Sequence, residues 1–305
     1  MARLRAAFSH LDPDSDVTIA AWLTKEQRAS LVAYRAAFGL QPKADWDVAH
    51  LPDGTSEAEL AQLREFKERL DAEGALVSDE DVAYANDLRL LQYLRARDHM
   101  LPKSHAMLLA SLAWRRKTRP WELENATSRT DKTCSDERIV GFDVAGRVVV
   151  YSSFANTTVR TPAEVQVNVV AMMEKAAQCS SAHSAGGLVW VNNFSARHKN
   201  GFGFRDCNPA FFFSGIDVFN NHFPECLKTM VIIDPPSIFF TTWSVVKPLL
   251  PIKTQEKAEI LDSRKEATRT RFVELFGDEL ATFLLDQIKR DETADPRKPG
   301  ASKRK

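Results

Sequence analysis

The spacing of apolar residues changes partway along the chain, and that change restricts the architecture more than any other feature. From Ser56 to about residue 118, apolar residues recur at helical intervals. Leu60, Leu63, Phe66 and Leu70 form one stripe that Gly74 closes, and Leu88, Leu91 and Leu94 form a second, with Arg89, Arg95 and Arg97 off it. Pro102 breaks that helix. Ser104 then opens another through His105, Leu108, Leu109, Leu112 and Ala113 to Trp114-Arg115-Arg116. Beyond residue 138 the pattern becomes short apolar runs separated by helical stretches. Arg138–Asp143 and Arg147–Phe154 flank Ala145-Gly146, a hairpin signature. Thr161-Pro162-Ala163-Glu164 supplies an N-cap, a proline at the first helical position and a glutamate at the third. The helix it opens carries Val165, Val169, Met172, Met173 and Ala176.

Gly187–Asn193 reads as a strand, followed by a polar loop, Ser195–Gly203. A helix starting at Asn208-Pro209 holds Phe212, Ile216, Phe219 and Phe223 in register, and Lys228–Ile233 is a further strand, closed by Asp234-Pro235-Pro236. Strands alternating with helices over 138–262 predict a mainly parallel sheet covered by helices, an α/β architecture preceded by a small all-helical bundle. The last helix is expected to reach about Lys289. The expected organisation is an N-terminal extension over 1–56, a helical region over 57–118, an α/β domain over 119–290 and a disordered basic tail over 291–305.

Composition removes several function classes. The 41 basic residues match the 41 acidic ones in 305 residues, so the basic excess of a nucleic-acid binder is missing. Cys134, Cys179, Cys207 and Cys226 form no CxxC pair and no metal-ligand spacing with histidine, so no metal and no cofactor is expected; free thiols fit a reducing compartment. No stretch approaches 18 consecutive apolar residues and the N-terminal apolar segment is too short for a signal peptide, which makes a cytoplasmic protein the expectation. The chain has no GxSxG, GxxxxGK[ST] or HExxH motif. Gly201-Phe-Gly203 is a dinucleotide-binding fragment in the wrong place, and His183-Ser184 reads better as two loop neighbours than as a hydrolase pair, so no enzyme is expected.

Pro236–Leu250 is unusual. Ile238, Phe239, Phe240, Trp243, Val245, Val246, Leu249 and Leu250 leave it almost no polar face, and Phe211-Phe212-Phe213, Phe219 and Phe223 add aromatic mass nearby in sequence. A helix apolar all round is either buried or meets lipid, and both readings stay open. Lys253-Thr254-Gln255-Glu256-Lys257 follows. Thr254 suits an N-cap, which would put Lys257 at the third helical position, where free N–H groups attract anions; the bland alternative is a solvated charge run.

Taken in order, these segments resemble the CRAL-TRIO lipid-binding proteins. The resemblance rests on Leu90-Leu91-Gln-Tyr-Leu94-Arg95-Ala-Arg97 with Trp114-Arg115, on Gly146-Arg147, and on Asn221-His-Phe-Pro224-Glu225. It continues through Val231-Ile-Ile-Asp-Pro235, Phe239, Trp243 and Lys247-Pro248-Leu-Leu250, and spans about residues 57–285. It implies a sheet flooring a hydrophobic pocket, with a gate helix at about 237–249 that presents Phe239, Phe240, Trp243 and Val246. The phosphatidylinositol-transfer branch holds its headgroup with an arginine, a glutamate, a threonine and a lysine, which fall on Arg97, Glu225, Thr254 and Lys257. The implied partners are a phospholipid, above all phosphatidylinositol, and transiently a membrane surface. Residues 1–56 are a candidate surface for a protein partner. The implied alternatives are a carrier of a tocopherol-, retinoid- or sterol-like molecule and a lipid-sensing regulatory scaffold. Asp98, Ala145 and Val148 depart from the family pattern. Leu188 and Trp190 stand where dual-specificity members place hydroxyls for phosphatidylcholine.

Overall fold

The computed structural model describes residues 51–52, 54–123, 136–154, 161–181, 187–195, 209–249 and 252–293. The polar loop after Ser195, the His183-Ser184 pair, Cys134, Cys207, Leu250 and nearly all of the 1–56 extension lie outside the described residues.

Four helices come first: α1 (Glu57–Ala72), α2 (Asp79–Tyr84), α3 (Asp87–Ala96) and α4 (Leu101–Thr118). Ser56 caps α1 through a reciprocal capping box with Glu59, so two free N–H groups at the helix start are satisfied locally. Leu63, Phe66 and Leu70 bury the predicted stripe against Leu90, Leu91, Leu94, Leu108 and Leu112. The turn at Gly74 adopts φ +58, the left-handed conformation that lets the chain leave a helix cheaply in glycine. The sequence reading passed over α2, whose six residues are too few for a periodic signal.

The α/β part follows: β1 (Asp136–Phe142), β2 (Val148–Ser153), α5 (Pro162–Ser181), β3 (Leu188–Asn193), α6 (Pro209–His222), β4 (Leu227–Ile233), α7 (Ser237–Val246), α8 (Ile252–Gln255), β5 (Ala258–Leu261) and α9 (Glu266–Thr293). The five strands lie in the order β1-β2-β3-β4-β5. The first pair is the predicted antiparallel hairpin and the other pairings are parallel. The Thr161–Glu164 capping box forms as expected. The ladder between β3 and β4 is interrupted once: Leu188 pairs with Leu227 but Val189 with Thr229, which leaves Lys228 as a surplus residue.

Strand alternation gives the sheet two apolar faces. One face, through Val148, Val150, Leu188 and Trp190, packs under Val170, Met172 and Met173 of α5 and Val218 of α6. The other, through Val149, Tyr151, Val189, Val191 and Val231, packs on Phe272, Phe276, Leu280 and Leu284 of α9. The result is three layers, the arrangement expected when parallel strands need both faces covered. α9 bends at Gly277 (φ 73) and runs past Lys289 to Thr293. Asp291, expected to open a disordered tail, is instead buried: its Oδ2 accepts from Tyr151 Oη at 2.5 Å and its Oδ1 from Gln287 Nε2 at 3.0 Å. Among the described residues, no helix is long and apolar enough to cross a membrane.

Candidate functional site

The gate segment forms α7 and lies over the β4 end of the α5/α6 face. Phe239 packs with Phe194 and Ile232, and Phe154, Met230 and Trp243 flank them. Phe154 and Phe194 are stacked at 4.1 Å, and Phe239 lies parallel to Trp243 at 6.0 Å. Phe239, Thr242 and Val246 point inward, at helical spacing. The outer side is mixed: Phe240 is 49% exposed and Val245 is 58% exposed, with Ile252 of α8 at 72%, beside exposed Ser237, Thr241 and Ser244. The helix is therefore half-buried, with two large apolar side chains of its own on the exposed side. Its start has no side-chain cap. The side chains of Phe211, Phe212 and Phe213 lie outside the described part.

This sheet face thus carries two apolar clusters, one around Trp190 and one under α7, and half-buried Met230 packs against both. Leu188 is fully buried in the first cluster. Trp190 donates its indole N–H to Ser152 Oγ at 2.5 Å, so the serine on the neighbouring strand has its oxygen engaged.

A charged site adjoins the far end of β4. Glu225 sits in the turn between α6 and β4 with φ 55, a left-handed conformation that costs a non-glycine residue about 1–2 kcal/mol. Its Oε2 is 3.5 Å from Lys257 Nζ and 3.7 Å from Lys228 Nζ. Burial pushes the Lys228 ammonium below the ordinary lysine range; Glu225 opposes the shift, while Lys257 and Arg95 add to it. Opposite, Asp98 and His99 also have positive φ values of 49 and 60, and Lys253 Nζ reaches Asp98 Oδ1 at 2.9 Å. Clustered backbone strain of this kind is common where a site is held in place by its surroundings.

The predicted headgroup residues are brought together unevenly. Glu225 and Lys257 are in contact, an ion pair that a purely structural role for the two residues would also produce. Arg97 caps the C-terminus of α3 and its Nη1 donates to the Ala96 carbonyl at 3.2 Å; the Asp98–Lys253 bridge carries its turn to α8. The Thr254 side chain lies outside the described part. The anion site expected at a helix start is not formed: Thr254 lies inside the single turn of α8, and Lys257 immediately precedes β5. The chain turns into a strand because Met230 N–H donates to the Lys257 carbonyl at 2.7 Å and draws Ala258–Leu261 onto the sheet.

Sequence reasoning missed Lys228, which reads as the first polar residue of a strand. It also missed Arg89. That side chain is buried, and its Nη1 lies 2.8 Å from both Gln92 Oε1 and Cys226 Sγ, so it ties the residue after Glu225 to α3. Among the described residues, no group of three or more His, Cys, Asp or Glu is placed to hold a metal ion.

Residues 137–276 match the CRAL/TRIO domain, which supports lipid binding and transport in general. No curated protein matches the chain in sequence. Among solved structures, "Crystal structure of Sfh5" is similar with a TM-score of 0.52 at 12% identity, over 78% of this chain and 99% of that one. The fold is that of a CRAL/TRIO domain with a helical N-terminal region in front of it.

Proposed function

We propose that this protein binds phosphatidylinositol, one molecule per closed pocket, and transfers it between membranes. The observation that supports the reading is a pair of unlike surfaces at the two ends of β4: a helix with Phe240 and Val245 exposed after the strand, and a charged centre at Glu225 and Lys257 before it. Acyl chains would run between the two apolar clusters that meet at Met230. Lys257 would hold the phosphate, with Thr254 beside it. Glu225 would accept hydrogen bonds from inositol hydroxyls, and Arg97 would add positive charge at the rim.

The energetics explain why a lid is needed. A diacyl lipid buries roughly 30 methylenes at about 0.8 kcal/mol each, so escape through water is prohibitively uphill. A carrier must replace the bilayer with an equally apolar enclosure and exchange its load where the opened lid meets lipid. No bond is made or broken in such a cycle, so the reading is of a carrier, not an enzyme. It places the protein in the cytoplasm with transient visits to membrane surfaces.

Mass spectrometry of lipids extracted from the purified protein, beside a Lys257→Ala form, tests this. Phosphatidylinositol near one per chain, lost in the variant, is the expected result. A hydrophobe without phosphate, held equally by both, would overturn the phosphatidylinositol reading and leave a carrier of another ligand. An empty pocket in both would turn attention to a regulatory scaffold.

A further inference from the structure

Lys228 and Lys257 converge on one oxygen of one carboxylate, at 3.7 and 3.5 Å. The charges around them are paired: Arg95 with Glu59 at 2.8 Å and Lys253 with Asp98 at 2.9 Å. Among the described residues, two ammonium groups against the one carboxylate of Glu225 leave one positive charge in excess. The lysines are not loose surface groups; their side chains are 31% and 20% exposed. Lys228 is also held by the backbone. As the surplus residue of the β3–β4 bulge it leaves the strand alternation, and its stem crosses Gly187. A Cβ at Gly187 would lie 3.0 Å from Lys228 Cγ, 3.1 Å from its Cε and 2.7 Å from the Cys226 carbonyl oxygen. Glycine at φ +84 therefore opens the slot through which this lysine reaches Glu225.

An excess positive charge in a half-dry site discriminates by the net charge of what enters. A phosphodiester with an uncharged alcohol brings one negative charge and neutralises it. A phosphodiester esterified to an ammonium alcohol brings its own cation, which must then sit near two lysines. We infer that Lys228 is a specificity-determining residue: with Lys257 it makes the site select lipids whose headgroup is a net-anionic phosphate ester over zwitterionic ones. The inference rests on the headgroup reading above and adds to it the residue that sets charge preference.

The test is competitive loading of the full-length protein from vesicles of equal phosphatidylinositol, phosphatidylserine and phosphatidylcholine content, with the loaded lipids quantified by mass spectrometry. Wild type is expected to load the anionic lipids in clear preference to phosphatidylcholine. Lys228→Met should lower that ratio about tenfold, corresponding to roughly 1.4 kcal/mol. Lys228→Arg, which keeps the charge, should retain it, and Lys228→Gln repeats the test if the methionine form does not fold. An unchanged ratio in folded neutral variants overturns the role of Lys228 while leaving phosphatidylinositol binding intact. Equal loading of phosphatidylserine and phosphatidylinositol, lost with Lys228, supports the charge filter and removes inositol specificity. Loading of a phosphate-free hydrophobe overturns both. Displacement of lipid by soluble glycerophosphoinositol would assign the lysines to a free phosphate ester and overturn the lipid filter.

Discussion

The guanidinium of Arg115 on α4 grips the carboxylate of Glu174 on α5 through two parallel hydrogen bonds of 2.7 Å each, and both side chains are buried. The same guanidinium lies 3.8 Å over the Tyr84 ring. One residue thus joins the helical region to the α/β domain. Removing one partner of a buried pair strands the other charge, which costs about 3–5 kcal/mol. Arg115→Met or Glu174→Gln should therefore lower the urea midpoint strongly. The double variant should recover part of the loss, because it leaves no orphan charge. Midpoints within experimental error of wild type would show that the pair contributes nothing to docking.

His222, at the end of α6, belongs to the same junction. Its ring stacks on Trp114 at 3.8 Å and 6°, and Ser111 Oγ lies 3.2 Å from Nδ1. Burial lowers its pKa from 6.5 to about 4; Asp217 opposes the shift and Arg115 adds to it. The folded value lies below the unfolded one, so the contribution is complete above pH 6.5, declines as the pH falls toward about 4, and changes no further below that. An NMR titration should place the His222 midpoint near 4. A midpoint near 6.5 would contradict the packed, neutral ring.

Phe239 is the inward anchor of α7. Replacing it with alanine removes contacts to Phe194 and Trp243, and truncating a buried phenylalanine costs about 3–5 kcal/mol when the structure cannot collapse around it. Part of that loss should appear as local opening. Hydrogen exchange of Phe239→Ala is expected to speed up in 237–249 far more than in β2 or β3. Uniform acceleration over the sheet would mean that α7 is not a separately opening element.

Tyr151, Asn193 and Asp291 form a buried polar cluster between the sheet and α9: Asn193 Nδ2 donates to Tyr151 Oη at 2.8 Å and lies 3.3 Å from Asp291 Oδ2. Ending the chain at residue 290 would leave the tyrosine hydroxyl and the asparagine amide short of their carboxylate. A cost of about 1–3 kcal/mol is expected for buried groups left unsatisfied. Thermal unfolding should show a lower Tm for the 1–290 form and a smaller drop for Tyr151→Phe. Ending the chain at 294 should cost little.

Much of this architecture is written in local patterns. The Thr161–Glu164 box, the Ala145-Gly146 hairpin and the Leu63–Phe66–Leu70 stripe each act within a few residues, so periodicity and cap chemistry reveal them. β5 is different. Its four half-exposed residues carry no strand signal, and they join the sheet because β4 offers a free edge. For the same reason Thr254 looks like a cap in the sequence and is not one in the fold. Arg89 shows the converse. A charge off the apolar stripe reads as solvated until a second layer, here Cys226 and its turn, closes over it. The Glu225–Lys257 contact spans 32 residues, and only the resemblance, not spacing or composition, pointed to it.

The surplus residue between β3 and β4 has a consequence for how this stretch can change in length. Leu227 and Met230 both face the α5/α6 layer although they are three positions apart, because the bulge absorbs one residue. Deleting Lys228 would make the ladder regular and leave Leu227, Glu225 and everything upstream on the sides they now occupy, removing only the lysine that stands out of the pairing. The extra residue between Glu225 and Met230 is therefore set by the need to bring a lysine to Glu225 and not by the pairing of the strands. A chain lacking Lys228 should keep its sheet and lose the ammonium group beside Glu225.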